Sequence, residues 1–574
     1  MKNTLIRIIS VLLVIVLLSG CGAGETAAKE TAVAYVFEYK PEYVPVEMLS
    51  FEDIKYVRPD IDGMHALVTQ LEGALQLERN HEQVCSLIDS FKARCTEFET
   101  MYAVANIRAC KDVTDEYYDK EYSYCMAADA EVELMVDELY SLCSGSSYAE
   151  WLEANLFWEG FVEESRVNDF AESQDNSDKY LELAEREAEL LAKYRDIVSS
   201  PTVEIGGQEQ DFEQYLQVDY YGAYAAYFEK YNPMLAQLYI ELMEIRRESA
   251  QLMGYESYAD YAGEYIYGRD FNTQEAKEYL SCVKEHLGPL SRDVRSSGIE
   301  YNVKYDSVYG RDLELYLETL AEGLGGKVEE ALEQMQQYSL CDLDPGANKA
   351  GISFVDYLSY YDVPYLFMNP SGYTDDIMVM SHEFGHFVDS YIRKDAYESI
   401  DLAELYSQAM QLMSIDQFRS VMAEDEQENY IAMTMLDMLS SLRDQAALAE
   451  FELRACEMEE PTAEKLNALF GEITKAYGIY GDEDEFFVPG WVDIAHFFEN
   501  PFYVISYSVS ASAALELYEM ELEEKGSGMD CFVKMSESLM PTLREATEYA
   551  GIEDPLSENR VRSAAEFLRS QLKL

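Results

Sequence analysis

Apolar positions recur along this chain mostly at steps of three and four, the spacing of one helical face. Met64, Leu67, Val68, Leu71 and Leu75 set the pattern, and the run from Leu181 to Val198 repeats it with charges on the other side. That period predicts helices over most of residues 60–199, with Trp151, Phe157 and Trp158 in core positions. Before it, Ala32 to Tyr43 is β-like and interrupted by proline. Ser199-Ser200-Pro201 breaks the helical period, and Thr202 to Gly207 reads as a short strand and turn. Helices then resume. One opens after Pro233 and ends at Gly254, one covers Thr273 to Leu287 with His286 near its C-terminus, and Leu313 to Tyr338 is helical but interrupted by Gly323, Gly325 and Gly326. Between Cys341 and Asp376 the character changes. Gly351 to Tyr361 and Tyr365 to Met368 alternate or run apolar with aromatics, as strands do. Asn369-Pro370-Ser371-Gly372 then turns the chain into a further helix. The fold class is mainly α, with a small β-sheet next to that helix. A boundary near residue 200 separates an N-terminal helical domain, 35–200, from a larger domain, 201–574.

The helix after the turn carries the chemistry. Ser381-His382-Glu383-Phe384-Gly385-His386 reads HExxH. Residues four apart share a helical face, so His382 and His386 aim their imidazoles at one spot, as a zinc ion requires. Glu383 sits one step round, where a carboxylate can take a proton from an activated water. Thr374-Asp375-Asp376 looks like an N-cap with acids in the first turn, and Arg393-Lys394 suits the last turn. The motif therefore lies mid-helix. The chain has only six histidines, which makes a chance HExxH uncommon. His65 and His81 have no metal spacing and read as surface or satisfied histidines.

Zinc needs a third protein ligand and keeps a fourth position for water. Glu398, Asp401 and Glu404 are the candidates. Glu404 lies eighteen residues past His386 and begins a helical run with Leu405, Met410 and Met413, so it is favoured. Glu398 and Asp401 fit the loop or the cap of the second helix better. The expectation is one Zn2+ per chain, held by His382, His386 and Glu404.

Charge and the N-terminus narrow the setting. The 574 residues carry a formal net charge of −67, which repels nucleic acid and anionic lipid and keeps the chain soluble. A further expectation is that this field favours cationic peptides. Lys2 and Arg7 precede an apolar run from Ile8 to Leu18, too short to span a bilayer in a mature protein. Leu18-Ser19-Gly20-Cys21 then resembles a bacterial lipobox. On this reading residues 1–20 are a lipoprotein signal peptide. Residues 21–34 are a lipidated N-terminus and tether, and lipid on Cys21 anchors the protein to the outer face of the cell membrane. Ten cysteines include no CxxC pair, which argues against a cysteine zinc site; their pairing is left open.

The stretch Tyr365 to Ile377 (YLFMNPSGYTDDI), then HEFGH, then Ala403-Glu404-x-x-Ser407 closely resembles the oligoendopeptidase F family of thimet-oligopeptidase-like zinc metallopeptidases. The likeness extends back to Arg246–Tyr255 (RRESAQLMGY) and forward to the C-terminus, and is faint before residue 200. It implies an almost wholly helical fold with a deep substrate channel, zinc on His382, His386 and Glu404, and Glu383 as general base. Residues 201–574 would be the catalytic domain, cutting short peptides as a monomer. The alternatives are a peptide-binding surface lipoprotein that kept the fold without activity, or a zinc carboxypeptidase of similar fold.

The segment Trp491 to Ser510 supplies candidates for the rest of the site. Peptide hydrolysis needs donors aimed at the developing oxyanion, and a tyrosine hydroxyl or a histidine N–H can serve. Relatives use a histidine and tyrosines here. By that resemblance Tyr507 contacts the oxyanion and His496 the substrate or oxyanion, with Tyr503 a further candidate; the two tyrosines are expected on one helical face. The chain departs from the family in three places. The loop from His386 to Glu404 is shorter than in many relatives, Gln411 stands where a second glutamate is frequent, and the spacing from His496 to the tyrosines is one residue longer.

Overall fold

The computed structural model describes residues 49–154, 174–299, 303–394, 396 and 398–574. The signal, lipobox and tether, the β-like stretch from Ala32, and Phe157 and Trp158 lie outside these residues.

Helices α1 (Ile61–Leu75), α2 (His81–Lys111) and α3 (Glu116–Ser144) follow the predicted period. The side chains of Asp60 and Asp115 cap α1 and α3 by accepting first-turn N–H groups. Met64, Val68, Leu71, Ile88, Phe91, Cys125 and Met135 form a core of their own. Met101, Val104 and Ile107, near the far end of α2, belong instead to the main core, together with Leu190 and Tyr194 of α4 (Gln174–Ser199). His65 Nε2 lies 2.6 Å from Glu131 Oε1, and the His81 ring meets Tyr148 and Trp151 edge-on. His65 is paired as expected, and among the described residues neither histidine lies near a metal-ligand group.

After Pro201 the predicted strand and turn is a hairpin, β1 (Thr202–Ile205) against β2 (Gln208–Asp211), with Gly206 and Gly207 at φ +60° and +80°. Two helix boundaries differ from the sequence reading. Helix α5 (Tyr220–Leu252) runs through Pro233 rather than opening after it. Ala223, Tyr227, Phe228 and Tyr231 bury a face ahead of the proline, and that packing outweighs the hydrogen bond that proline cannot make. Helix α6 (Thr273–Ser297) likewise passes Leu287 and Pro289, because Leu290 and Ser291 are buried and the Ser291 hydroxyl donates to the Gly478 carbonyl at 2.8 Å. His286 is therefore mid-helix, not C-terminal, with Nε2 3.4 Å from Glu558 Oε1. Gly325 and Gly326, both at positive φ, divide α7 (Arg311–Leu324) from α8 (Gly326–Tyr338) as their positions implied.

The sheet is small. Strand β3 (Tyr305–Val308) pairs apart from the rest, with β7 (Gly372–Tyr373). Strands β4 (Cys341–Asp342), β5 (Ser353–Leu358) and β6 (Val363–Met368) lie in the order β4-β6-β5. β5 and β6 are antiparallel, with Phe354 opposite Phe367, and every residue of β6 is buried. β6 feeds the turn into α9 (Asp376–Arg393). Asp376 Oδ2 accepts from the Gly372 N–H at 2.7 Å and the Ser371 hydroxyl at 3.1 Å, which fixes the angle of entry. Helices α10 (Ile400–Gln417), α11 (Glu424–Cys456) and α12 (Ile505–Glu523) complete the surroundings of the motif. No helix among the described residues is long and apolar enough to cross a membrane.

Candidate active site

The HExxH motif falls in the middle of α9, and α10 lies directly against it. Gly385 explains how closely. A Cβ at that position would stand 2.6 Å from Ser407 Cα and 2.7 Å from the Tyr406 carbonyl oxygen, so any larger residue would push α10 away. This near approach brings Glu404, one turn into α10, to the two imidazoles. Glu404 Oε2 is 3.4 Å from His382 Nε2 and 3.8 Å from His386 Nε2, and one ligand atom from each of the three lies within 4.8 Å of the others. The histidine rings are 5.1 Å apart and nearly perpendicular. The Ser407 hydroxyl donates to Glu404 Oε2 at 3.2 Å.

The other two acids considered for the third position are engaged elsewhere. Glu398 Oε2 is 3.2 Å from Arg393 Nε, and Asp401 Oδ1 is 3.2 Å from Arg269 Nε.

Charge in this group is strongly organised. Burial works against ionisation of Glu404, which is 1% exposed. The hydrogen bond from His382 and the neighbouring imidazoles outweigh it and hold the carboxyl down at about 2. Burial also lowers His382, yet contact with Glu404 raises it to about 9. His386 is carried by burial down to about 4. Glu383 is 7% exposed, and burial lifts its carboxyl to about 7, with His382 opposing the shift and the charge on Glu404 adding to it. One carboxylate is thus fixed as an anion, and its neighbour changes protonation near neutrality. A pair of groups pushed apart in this way is what acid–base chemistry needs. Two imidazole nitrogens and one buried anionic oxygen are the donor set of a zinc site with one position left for solvent, so these residues fit that metal.

The second cluster comes from farther along the chain. His496 lies on the short helix Ala495–Glu499, and its ring stacks on Tyr503 at 5.2 Å with 6° between planes. Tyr507 stands 5.8 Å from His496 and 5.2 Å from Tyr503, centroid to centroid. The tyrosines do not share a helical face as expected. Tyr503 precedes α12, and Tyr507 is in its first turn. Between them and His496 the backbone turns sharply, with Phe502 buried at φ +65°. A non-glycine residue rarely adopts this conformation and must be held in it. Glu452 Oε1 accepts from the Phe502 N–H at 2.7 Å, and Arg269 donates at 2.8 Å to both the Phe502 carbonyl and the Ser506 hydroxyl. The turn points Tyr503 at the first cluster: its hydroxyl donates to Glu404 Oε1 at 2.6 Å. Tyr507 is fixed through its carbonyl, which accepts from Gln408 Nε2 of α10 at 3.0 Å. Burial, and then the charge on Glu404, push both phenols well above their ordinary pKa, so both keep their protons. Burial lowers His496 below its usual value.

His496 is held by residues outside its segment. Arg246 donates to the Phe497 carbonyl at 3.4 Å and to the Phe498 carbonyl, and its Nε pairs with Glu187 of α4 at 2.7 Å. Arg195 of α4 pairs with Glu499 at 2.7 Å, and Tyr194 stacks on Phe498 at 4.3 Å. Sequence reading missed these supports, along with the role of Gly385 and the tie of Tyr503 to Glu404. The signals were faint: an arginine inside a resembling stretch and a small residue inside the motif.

The chain matches two family models, "Peptidase M3 N-terminal domain" over residues 51–161 and "Peptidase family M3" over residues 327–531. It is similar to Oligopeptidase PepF of Bacillus subtilis, 28% identical over 231 residues, which is 37% of this chain and 34% of that protein. It is also similar to Oligoendopeptidase F, chromosomal, of Lactococcus lactis subsp. cremoris, 30% identical over 171 residues, 27% of this chain and 28% of that one. The alignments therefore span about a third of the length of these curated relatives. In fold the chain resembles the solved structure of PZ peptidase A with an inhibitor, at TM-score 0.76 and 20% identity, covering 91% of this chain and 99% of that one.

Proposed function

Taking the chain as a homologue of the peptidase M3 family, we propose that it is a zinc-dependent endopeptidase of short peptides. The convergence of His382, His386 and Glu404, with ligand atoms within 4.8 Å of one another and Glu383 buried beside them, carries this reading. Zinc held by these three side chains would supply Lewis acidity and bring the pKa of a water to about 7. Glu383, its carboxyl lifted to about 7, accepts a proton near neutral pH and returns it to the leaving amine. Tyr507, kept protonated by burial, donates to the oxyanion that develops on the scissile carbonyl. His496 contacts the same end of the substrate. Tyr503 steadies the Glu404 carboxylate through its 2.6 Å hydrogen bond. The names of the relatives, an oligopeptidase and an oligoendopeptidase, support short peptides as substrates.

Glu383→Gln tests the assignment. It should keep one zinc per chain and lose about 10²–10⁴-fold in turnover of a quenched peptide. Turnover at the parent rate would sink the mechanism.

The proposal extends to location. Leu18-Ser19-Gly20-Cys21 behind a short apolar run supports export as a lipoprotein anchored at Cys21. Cys21→Ser should move the protein from the membrane to the soluble fraction of fractionated cells. An unchanged distribution would count against the anchor.

A further inference from the structure

Behind His382 lies a pair of side chains that the HExxH motif does not include. Gln411, on α10, is 2% exposed, and its Oε1 stands 3.4 Å from His382 Nδ1. Its Nε2 donates to Asp437 Oδ2 of α11 at 2.7 Å. A carboxamide has one accepting end and one donating end, and an ionised carboxylate can only accept. Asp437 therefore takes the NH2 end, and the carbonyl oxygen is left facing the imidazole. Only a protonated Nδ1 answers an acceptor there. In the neutral ring that a metal requires, the lone pair is then on Nε2, the atom turned toward Glu404.

We infer that Asp437 and Gln411 form a relay that fixes the tautomer and orientation of His382 and thereby sets metal affinity. The inference rests on the zinc reading above. Both are positioning residues: neither is among the three metal ligands, and they act through the ring. The relay also has a distinct electrical character. A carboxylate placed directly against a metal-binding histidine draws the ring proton toward itself and makes the other nitrogen more basic. An amide in that place passes on only part of the charge behind it. His382 is thus oriented by a neutral acceptor and donates less electron density to the cation than it would in front of an acid.

The test uses the full-length protein and four variants: Gln411→Leu, Asp437→Asn, the double variant, and Asp437→Glu. Zinc affinity is read by competition with a chromophoric chelator, and ligand geometry by the visible spectrum after Co2+ substitution. Gln411→Leu should weaken zinc binding about 10–100-fold and shift the Co2+ bands. Asp437→Asn should weaken it less. The double variant should be no worse than Gln411→Leu, because the two residues act in series. Asp437→Glu, which keeps the negative charge, should stay closer to the parent than Asp437→Asn. Asp437 is only partly buried, so Asp437→Asn decides the matter even if Gln411→Leu does not fold. Parental affinity and an unshifted spectrum in Asp437→Asn would overturn the relay and leave the metal site standing. A parent protein that takes up no zinc would overturn the metal reading, and the relay with it.

Discussion

His382, His386 and Glu404 come from one short stretch of chain and two helices in van der Waals contact, whereas His496, Tyr503 and Tyr507 stand on a short helix, a sharp turn and the start of another helix. The first group needs little outside help. Helical periodicity aligns the histidines, and Gly385 lets α10 come close enough to deliver the carboxylate. The second group has no such internal regularity. Its backbone is held by Glu452 at Phe502, by Arg246 at Phe497 and Phe498, and by Arg195 and Tyr194 of a helix some three hundred residues earlier. Tyr503, Arg269 and Gln408 are among the ties between the two regions. Arg269 pairs with Asp401 at the start of α10 and bonds the turn before Tyr503, while Tyr503 bonds Glu404. A local motif can place a cation, but setting donors around a reacting carbonyl takes the tertiary structure.

The sharpest break in this comparison should come from truncating one member of each group. Glu404→Ala should abolish zinc retention and, with it, measurable peptide hydrolysis. Tyr507→Phe should retain a full complement of zinc while losing about 10²–10³-fold in kcat. Metal analysis beside steady-state kinetics separates the two. Equal zinc loss in both would mean that the groups are not distinct.

Arg269→Met should strike both groups at once. It leaves Asp401 buried without its partner, at a cost of about 3–5 kcal/mol in stability, since both side chains are almost fully enclosed. Zinc affinity and turnover should fall together, alongside a lower Tm. A loss confined to turnover would restrict Arg269 to the aromatic side.

The smallest effect concerns pH. Burial raises the Glu452 carboxyl from an ordinary 4.5 to about 8. The folded state therefore holds a proton that the unfolded chain releases, and stability declines as pH rises from about 4.5 through 8. Glu452→Gln keeps an oxygen to accept from Phe502 but cannot ionise. Above pH 8 it should be more stable than the parent, and near pH 4 the advantage should vanish. Parallel melting curves across that range in both proteins would show that this carboxyl does not titrate on folding.

The same contrast governs what could be read in advance. The meeting of His382, His386 and Glu404 was legible in part: the histidine pair follows from the helical repeat, Glu404 was favoured among three acids, and the other two are engaged by arginines. The hairpin after Pro201, the division at Gly325 and the strands before the motif were legible from turn residues and alternation. Pro233 misled, because local propensity opposed burial of the surrounding face and burial won. The placing of Tyr503 could not be read at all. It depends on a left-handed Phe502, which has no compositional signature, and on partners remote in sequence.

The contacts of Glu187, Tyr194 and Arg195 with the segment around His496 bear on how this polypeptide can be divided. A shortened gene product beginning at residue 201 would still encode every side chain assigned to chemistry. It would also strip Arg246 of its counter-ion and Phe498 of one stacking partner, loosening the imidazole of His496. The early helices thus brace the later ones from behind, and with Met101, Val104, Ile107, Leu190 and Tyr194 they also fill the core the later ones share, so such a fragment should be poorly folded as well as sluggish.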